Sequence, residues 1–178
     1  GTTNGVEAGQ TVTLRVTDGT ATVTVTAVVN PDGSYSTTAD LSGLADGPLT
    51  VTATVSDAAG NPATATDTAA LDTAAAITVS LDDVNSGNVG AAPITGTTAG
   101  VEAGQTVTLV ITDGTATVTV TAVVNPDGSY STTADLSGLA DGPLTVTASV
   151  SDAAGNPATA TDTAALDTSA AITVSLDD

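Results

Sequence analysis

The sequence predicts an all-β chain built from tandem antiparallel β-sandwich domains of about 95 residues each. Apolar and polar residues alternate with a period of two along most of the chain, which is typical of half-buried strands. Gly, Pro, Asn and Asp cluster between the alternating stretches, as they do in tight turns. Residues 1–83 also recur at 96–178 without a gap and differ at five of these 83 positions, so one domain-sized unit is used twice.

The strands can be assigned in order along the complete copy of the repeat. The alternation is clearest where Val107, Leu109 and Ile111 share one face, because side chains two residues apart point to the same side of a strand. Turn signals such as Asp113-Gly114 separate successive stretches. Seven strands are predicted, at roughly 76–81, 93–98, 105–112, 116–123, 129–135, 143–151 and 157–165.

Seven short strands in about 95 residues favour a sandwich of the immunoglobulin or fibronectin type. The repeat then predicts three segments: an immunoglobulin-like repeat lacking its first strand at 1–73, a complete repeat at 74–168, and the first strand of a further repeat at 169–178. One position breaks the alternation, because Asp162 falls on the inward face. It indicates either a bulge or rim position, or a buried polar ligand or cap.

Composition and charge exclude several classes of function. The chain has no His and no Cys, and it carries 20 acidic residues against one basic residue, for a net charge of -19. It therefore lacks an imidazole base, a thiolate nucleophile and the usual zinc ligands. A surface this acidic repels nucleic acid, and no apolar run reaches the 18 residues of a membrane span. We predict no catalytic residues, no nucleic-acid partner and no membrane insertion by this segment.

The side chains that remain are carboxylates, hydroxyls and amides, which are the ligands that calcium prefers. In the usual sandwich order, the exit end of one domain faces the entry end of the next. This order predicts structural Ca²⁺ at the first junction, with further candidates at the exit end and in a stretch that resembles a calcium loop. Without calcium, the acidic loop residues would serve solubility or turn geometry, and the stretch that resembles a calcium loop would be a polar turn. The candidate ligands are Asp72, Glu102, Asp152 and Asn156 at the junction, Asp167 at the exit end, and Asp82, Asp83 and Asn85 in the loop.

Three runs of sequence carry a family resemblance: ITGTTAGVEAGQTVTLVITDG, NPDGSYS and LADGPLTVTASVSDAAGNPATATDT. Together they resemble the bacterial immunoglobulin-like extender repeats of giant type I secreted, RTX-type biofilm adhesins. The resemblance covers essentially the whole chain. It implies a non-catalytic stalk on the bacterial cell surface or in the extracellular medium, with neighbouring repeats of the same chain as partners and calcium stiffening the junctions.

The C-terminal segment suggests a second hypothesis, which concerns assembly. Residues 170–178 are identical in sequence to 75–83, and Ile172, Val174 and Leu176 form an apolar face. If this strand completed the first domain of another molecule, the chain would associate head to tail into a filament. The alternative is a fragment boundary without functional meaning.

Overall fold

The structure, a computed structural model, describes residues 1–176. The chain divides into two units between Thr73 and Ala74. Unit 1 runs from Gly1 to Thr73, and unit 2 begins at Ala74. The last two residues of the predicted strand at 169–178, Asp177 and Asp178, lie outside the described residues.

Unit 1 is built on one four-stranded antiparallel sheet with the order β2-β1-β3-β4. Apart from Arg15 in β1 and Asp67 in β4, the strands mostly alternate Thr or Ser with Val, Leu or Ala, a composition that suits a pleated sheet with one covered face. A single bridge joins Thr2 to Ser34 beside this sheet. The strands are β1 (Thr11–Thr17), β2 (Thr22–Val28), β3 (Gly47–Ser56) and β4 (Pro62–Leu71).

Within residues 74–176, unit 2 has nine strands and a short 3₁₀ helix at Val89–Ala91. The strands are β5 (Ala76–Ile77), β6 (Ser80–Leu81), β7 (Val84–Asn85), β8 (Ala92–Ala99), β9 (Thr106–Thr112), β10 (Thr117–Val123), β11 (Ser129–Ala134), β12 (Gly142–Ser151) and β13 (Pro157–Asp167). One sheet has the order β10-β9-β12-β13-β7, and the other has the order β11-β8-β5, with β6 also paired to β8.

The two sheets of unit 2 enclose a single apolar core. Ile94 and Tyr130 come from one sheet, Leu109 and Val146 from the other, and all four side chains are fully buried. The inward face that the alternation predicts for β9, Val107 with Leu109 and Ile111, is the face that is buried. The predicted all-β antiparallel sandwich is therefore confirmed.

The opening of unit 2 differs from the single strand predicted at 76–81. The chain forms β5 and β6 against β8, and then pairs β7 in parallel with the end of β13, where Val84 lies opposite Leu166. β5 and β6 keep one register against β8, with Ala76 opposite Ala99 and Ser80 opposite Thr95, so the predicted strand is only interrupted within its sheet. The chain crosses to the other sheet after β6. Val84, which the sequence placed in a polar loop, is only 2% exposed and closes the sandwich edge.

Asp162 is accommodated without a bulge. The register between β12 and β13 is continuous, and Asp162 lies directly opposite Val146. The carboxylate Oδ2 accepts the backbone N–H of Leu81 at 3.0 Å, and Oδ1 accepts that of Thr163 at 2.9 Å. The bulge was thus wrong. Asp162 is partly buried, and its carboxylate accepts two backbone N–H groups.

The two units bury their equivalent residues to different extents. Leu109, Val146 and Ala148 of unit 2 are completely buried, but the matching residues of unit 1 remain partly exposed. In unit 1 the buried cluster consists of Val16, Leu44 and Leu49. A nearly identical sequence therefore has one closed core and one open face.

Candidate functional site

The carboxylates of both units act mainly as acceptors for backbone N–H groups of loops. In unit 2, Asp113 follows β9 and accepts three of them: Thr115 and Ala116 at Oδ1, at 2.8 and 2.7 Å, and Ala140 at Oδ2, at 2.8 Å. These bonds, with the largest effect from Ala140, hold the pKa of Asp113 well below its usual value. Asp113 therefore ties its own turn to the loop before β12, a link that the Asp-Gly signal alone does not reveal.

A second acidic group joins two loops at the other end of unit 2. The backbone N–H of Ala153 donates to Glu102 Oε2 at 2.8 Å. Asp152, 5% exposed, accepts the Asn156 backbone N–H and side-chain amide, each at 2.7 Å. The side-chain bond from Asn156 is the main cause of the lowered pKa of Asp152. Three of the predicted ligands, Glu102, Asp152 and Asn156, therefore lie around one loop.

Unit 1 repeats this arrangement with the same geometry. Glu7 Oε2 accepts the N–H of Ala58 at 2.8 Å. Asp57 accepts from the Asn61 backbone at 2.8 Å and from its side-chain amide at 2.7 Å. In each unit, the two carboxylates and the Asn amide thus have a structural role. They join the loop that carries the Glu to the loop that carries the Asp and Asn.

The remaining predicted ligands lie apart from that group. Asp83 Oδ1 accepts the N–H of Ala165 at 2.8 Å, and Asn85 Oδ1 accepts that of Gly87 at 2.8 Å, so both serve their own edge of the sandwich. Asp167 Oδ1 accepts from Ser169 at 3.2 Å. Asp82 is exposed, and Asp72 follows β4 in unit 1.

The described residues contain no group of three or more acidic side chains, His or Cys placed to hold a metal ion. The stretch from Asp82 to Asn88 contains β7 and the turn that follows it at 86–88, where the Asn85 N–H donates to Asn88 Oδ1 at 2.7 Å. Within unit 2, the donor set that fits a hard cation best is the pair of carboxylates Glu102 and Asp152 with the amide of Asn156.

The predicted strand-donating residues are fully exposed. Ile172, Val174 and Leu176 are 96%, 96% and 93% exposed, and residues 170–176 belong to no strand. Among residues 1–176, no helix has both the length and the apolar character needed to cross a membrane.

Asp113 leads to a prediction about acid stability. Its folded-state pKa is lowered, so its stabilising effect is present above the usual value of 3.8 and is lost as the pH falls through the folded value. We expect the melting temperature to fall on acidification below pH ~4, and Asp113→Asn to flatten this dependence for unit 2. Asp82→Asn, at an exposed position, controls for the loss of one negative charge. Superimposable acid profiles for wild type and Asp113→Asn would contradict the assignment.

Comparison with known proteins gives structural neighbours. No protein-family model matches the chain, and no curated protein matches it. The crystal structure of a tetra-tandem repeat in the extending region of a large adhesion protein is 39% identical, with a TM-score of 0.53. The match covers 93% of this chain and 44% of that one, so the chain spans less than half of the neighbour's length.

Two further neighbours are adhesins. A bacterial immunoglobulin-like domain from the M. primoryensis ice-binding adhesin is 30% identical over 53% of this chain and 98% of that chain, with a TM-score of 0.40. A Ca²⁺-stabilized adhesin that helps an Antarctic bacterium reach out and bind ice is 28% identical over 93% of this chain and 42% of that chain, with a TM-score of 0.44.

Proposed function

The chain belongs to the bacterial immunoglobulin-like extender repeats of large adhesins, and on this premise we propose that it is a non-catalytic stalk segment that projects a distal binding region from the bacterial cell surface. The observation that carries the proposal is the 39% identity, over 93% of the chain, to a tandem repeat of an extending region. The expected location is extracellular, as for a biofilm adhesin, and the expected partners are neighbouring repeats of the same chain.

The construction of each unit suits a spacer. The longest strands have ten residues in unit 1, β3 and β4, and eleven in unit 2, β13, so one unit provides about 33 to 36 Å of strand length. Unit 2 begins at Ala74 directly after unit 1 ends at Thr73, which leaves no Gly- or Ser-rich tether in the sequence. Length is then set by the number of units.

The carboxylates support this role in two ways. Those of Glu102, Asp113 and Asp152 bind backbone N–H groups and so hold the loops at both ends of unit 2 in place. The net charge of -19 keeps neighbouring stalks apart by repulsion. Because these carboxylates already accept backbone N–H groups of the loops, they also favour a structural role over acid–base catalysis.

Calcium stiffening is the finer part of the proposal. Glu102, Asp152 and Asn156 offer two carboxylates and an amide, while six to eight oxygens complete a calcium shell. We propose that these residues contribute ligands to a calcium ion at the entry end of unit 2. An ion that binds only the folded state would add about 3 to 4 kcal/mol at ~100–1,000 times its Kd.

The test uses chains of two, four and eight units, measured by small-angle X-ray scattering in calcium and in EDTA. A stalk predicts a maximum dimension that rises linearly, by about 33 Å or more per unit. A maximum dimension that grew only with the square root of the number of units would contradict a stalk.

If calcium stiffens the stalk, EDTA should lower the melting temperature and shorten the particle, with magnesium as the control ion. Equal values in calcium and EDTA would remove calcium and leave the stalk intact.

A further inference from the structure

One sheet of unit 2 ends in an unprotected edge strand. Among residues 1–176, β10 pairs with β9 on one side and with no strand on its other side. Its sequence, TVTVTAV, contains no charged residue, no Pro and no Gly, and its register with β9 is continuous. Edge strands are usually blocked by charges, Pro or bulges, because their free N–H and C=O groups otherwise pair with another strand. β10 has none of these features.

The free edge of β13, towards the other end of the same sheet, is blocked in several ways. β13 begins with Pro157 and carries Asp162. The opening segment of unit 2, residues 74–85, also runs beside it, and its Leu81 N–H donates to Asp162 at 3.0 Å. Because β10 and β7 lie at opposite ends of the sheet, the free edge of β10 does not depend on the opening segment.

The same edge strand occurs in unit 1. β2 lies at the end of its sheet, and residues 22–28 are identical to 117–123. Val28 and Val123, the last residues of the two strands, are 59% and 58% exposed. Every other Val, Leu and Ile of residues 1–168 is buried or half-buried. The open edge with its exposed Val is therefore a property of the repeat and is present in each unit.

The hydrogen bonds of β10 show which backbone groups are free. The N–H of Val124, directly after β10, donates to Gln105 O at 3.0 Å. In an antiparallel ladder, the residues that bond to one neighbouring strand alternate with those that do not. The even-numbered residues of 118–122 therefore bond to β9. The odd-numbered residues of 117–123 direct their N–H and C=O groups to the free edge.

This pattern of free groups fits a second copy of the same strand. Two β10 strands related by a two-fold axis at Val120 pair all seven residues antiparallel, with Thr119 opposite Thr121. The odd-numbered residues then lie opposite one another, so each free N–H meets a free C=O. A shift of one residue places free groups opposite bonded ones, and a shift of two leaves only five residues paired.

The side chains are also complementary in this register. Val118 and Val120 face the core but are only half-buried at its rim. A second copy places its own Val120 opposite Val120 and its Ala122 opposite Val118, which covers apolar surface on both copies. On the outer face Thr lies opposite Thr or Val, pairs of β-branched side chains that suit neighbouring strands.

We propose that β10 binds β10 of a second copy of this chain by antiparallel strand pairing centred on Val120. The proposal is independent of the stalk function. One pair of strands buries less than the ~1,200 Å² of a stable interface, so a single contact is weak. Each unit carries the same edge strand, so a chain with more units offers more contacts to a second copy.

Charge sets how this association depends on salt. Asp113 lies in the turn before β10 and Asp127 in the turn after it, and each copy has a net charge of -19, so two copies repel each other. The paired strands themselves are uncharged, so salt screens the repulsion without weakening the backbone pairing. We expect association to strengthen between ~0.05 and ~1 M NaCl, the reverse of an interaction between opposite charges.

Disulfide trapping tests the register, because the chain contains no cysteine of its own. In the proposed pair the two Val120 residues lie directly opposite, with Cα atoms about 4.5 Å apart. A disulfide spans this distance, so Val120→Cys should form covalent dimers when copper phenanthroline is added as oxidant. We expect a dimer yield on the order of tenfold above that of the control variant Val118→Cys.

Val118→Cys is a matched control because Val118 lies on the same strand and the same face, and is likewise half-buried. In the proposed register, however, it lies about 14 Å along the strand from its own counterpart, which is too far for a disulfide. Equal yields from Val118→Cys and Val120→Cys, or no covalent dimer from either, would overturn the proposal.

Sedimentation velocity tests the same contact without a crosslink. The mass of the wild type is expected to rise with concentration, and to rise more at high salt. Thr26→Pro with Thr121→Pro should abolish this rise, because the N–H that each Pro removes points to the free edge and the pairing with β1 or β9 stays intact. Thr26→Ser with Thr121→Ser keeps both N–H groups and is the control.

Both double variants should keep the circular dichroism spectrum of the wild type. A wild-type monomer at every concentration and in both salts would overturn the proposal. A rise in mass that persisted in the proline variant would place the contact elsewhere on the chain and overturn it as well.

Discussion

Replacing Leu109 by alanine should lower the free energy of unfolding of unit 2 by about 2–5 kcal/mol, the range for a large side chain removed from a closed core. Leu109 is 0% exposed and lies in the layer between the two sheets. The same change at the equivalent Leu14 should cost clearly less, because Leu14 is partly exposed and its removal leaves no enclosed cavity. Hydrogen exchange with mass spectrometry measures each unit, because peptides that span Arg15 or Val110 differ in mass.

Thr119→Ala provides the control for this comparison. Thr119 is exposed on β10, so we expect a change within about 0.5 kcal/mol. Equal destabilisation by Leu109→Ala and Leu14→Ala would contradict the difference between a closed and an open core.

Gly100→Ala should disrupt the opening of unit 2, whereas Gly5→Ala should be mild. Both positions have positive φ, so each alanine costs roughly 1–2 kcal/mol of backbone strain. In unit 2 the new methyl group also meets the Ala74 carbonyl at 2.4 Å, and moving that backbone should cost a further ~1–3 kcal/mol. The expected readout is faster amide exchange at Thr78 and Leu81, whose N–H groups bind Thr97 O and Asp162.

A second glycine pair is the internal control for this prediction. A Cβ at Gly128 would lie 2.8 Å from Thr98 O, and one at Gly33 would lie 3.0 Å from Thr3 O. Alanine at these two positions should therefore destabilise the two units to similar extents. If Gly5→Ala and Gly100→Ala were likewise equal, the Ala74 backbone would not be held where the structure places it.

The strands themselves could be predicted because their signal is local. The alternation of Thr with Val or Leu gave β9, β10, β12 and β13 to within two residues at each end, and the buried face of β9 followed from parity. The pairing of β7 with β13 could not be foreseen. It depends on where the chain crosses between the two sheets, and Val84 is apolar in a stretch whose neighbours are polar.

The sequence predicted which loops the acidic residues occupy, but not the backbone N–H groups that they bind. Sequence analysis grouped Glu102, Asp152 and Asn156 correctly around one end of unit 2, because turn positions in an alternating sandwich fix which loops are neighbours. The role of Asp113 was missed. Its decisive bond goes to Ala140, 27 residues away, and no spacing rule connects an Asp-Gly turn with a backbone N–H at that distance.

The repeat separates local from tertiary information within one molecule. Composition, the 95-residue period and the two-residue alternation follow from the order of amino acids, and they specify strands, turns and an acidic surface without His or Cys. Burial does not follow from them. Leu14 and Leu109 occupy the same place in nearly identical sequences, yet one is partly exposed and the other fully buried. The difference arises because burial depends on which segment packs across the sheet, and that packing is decided by the tertiary structure.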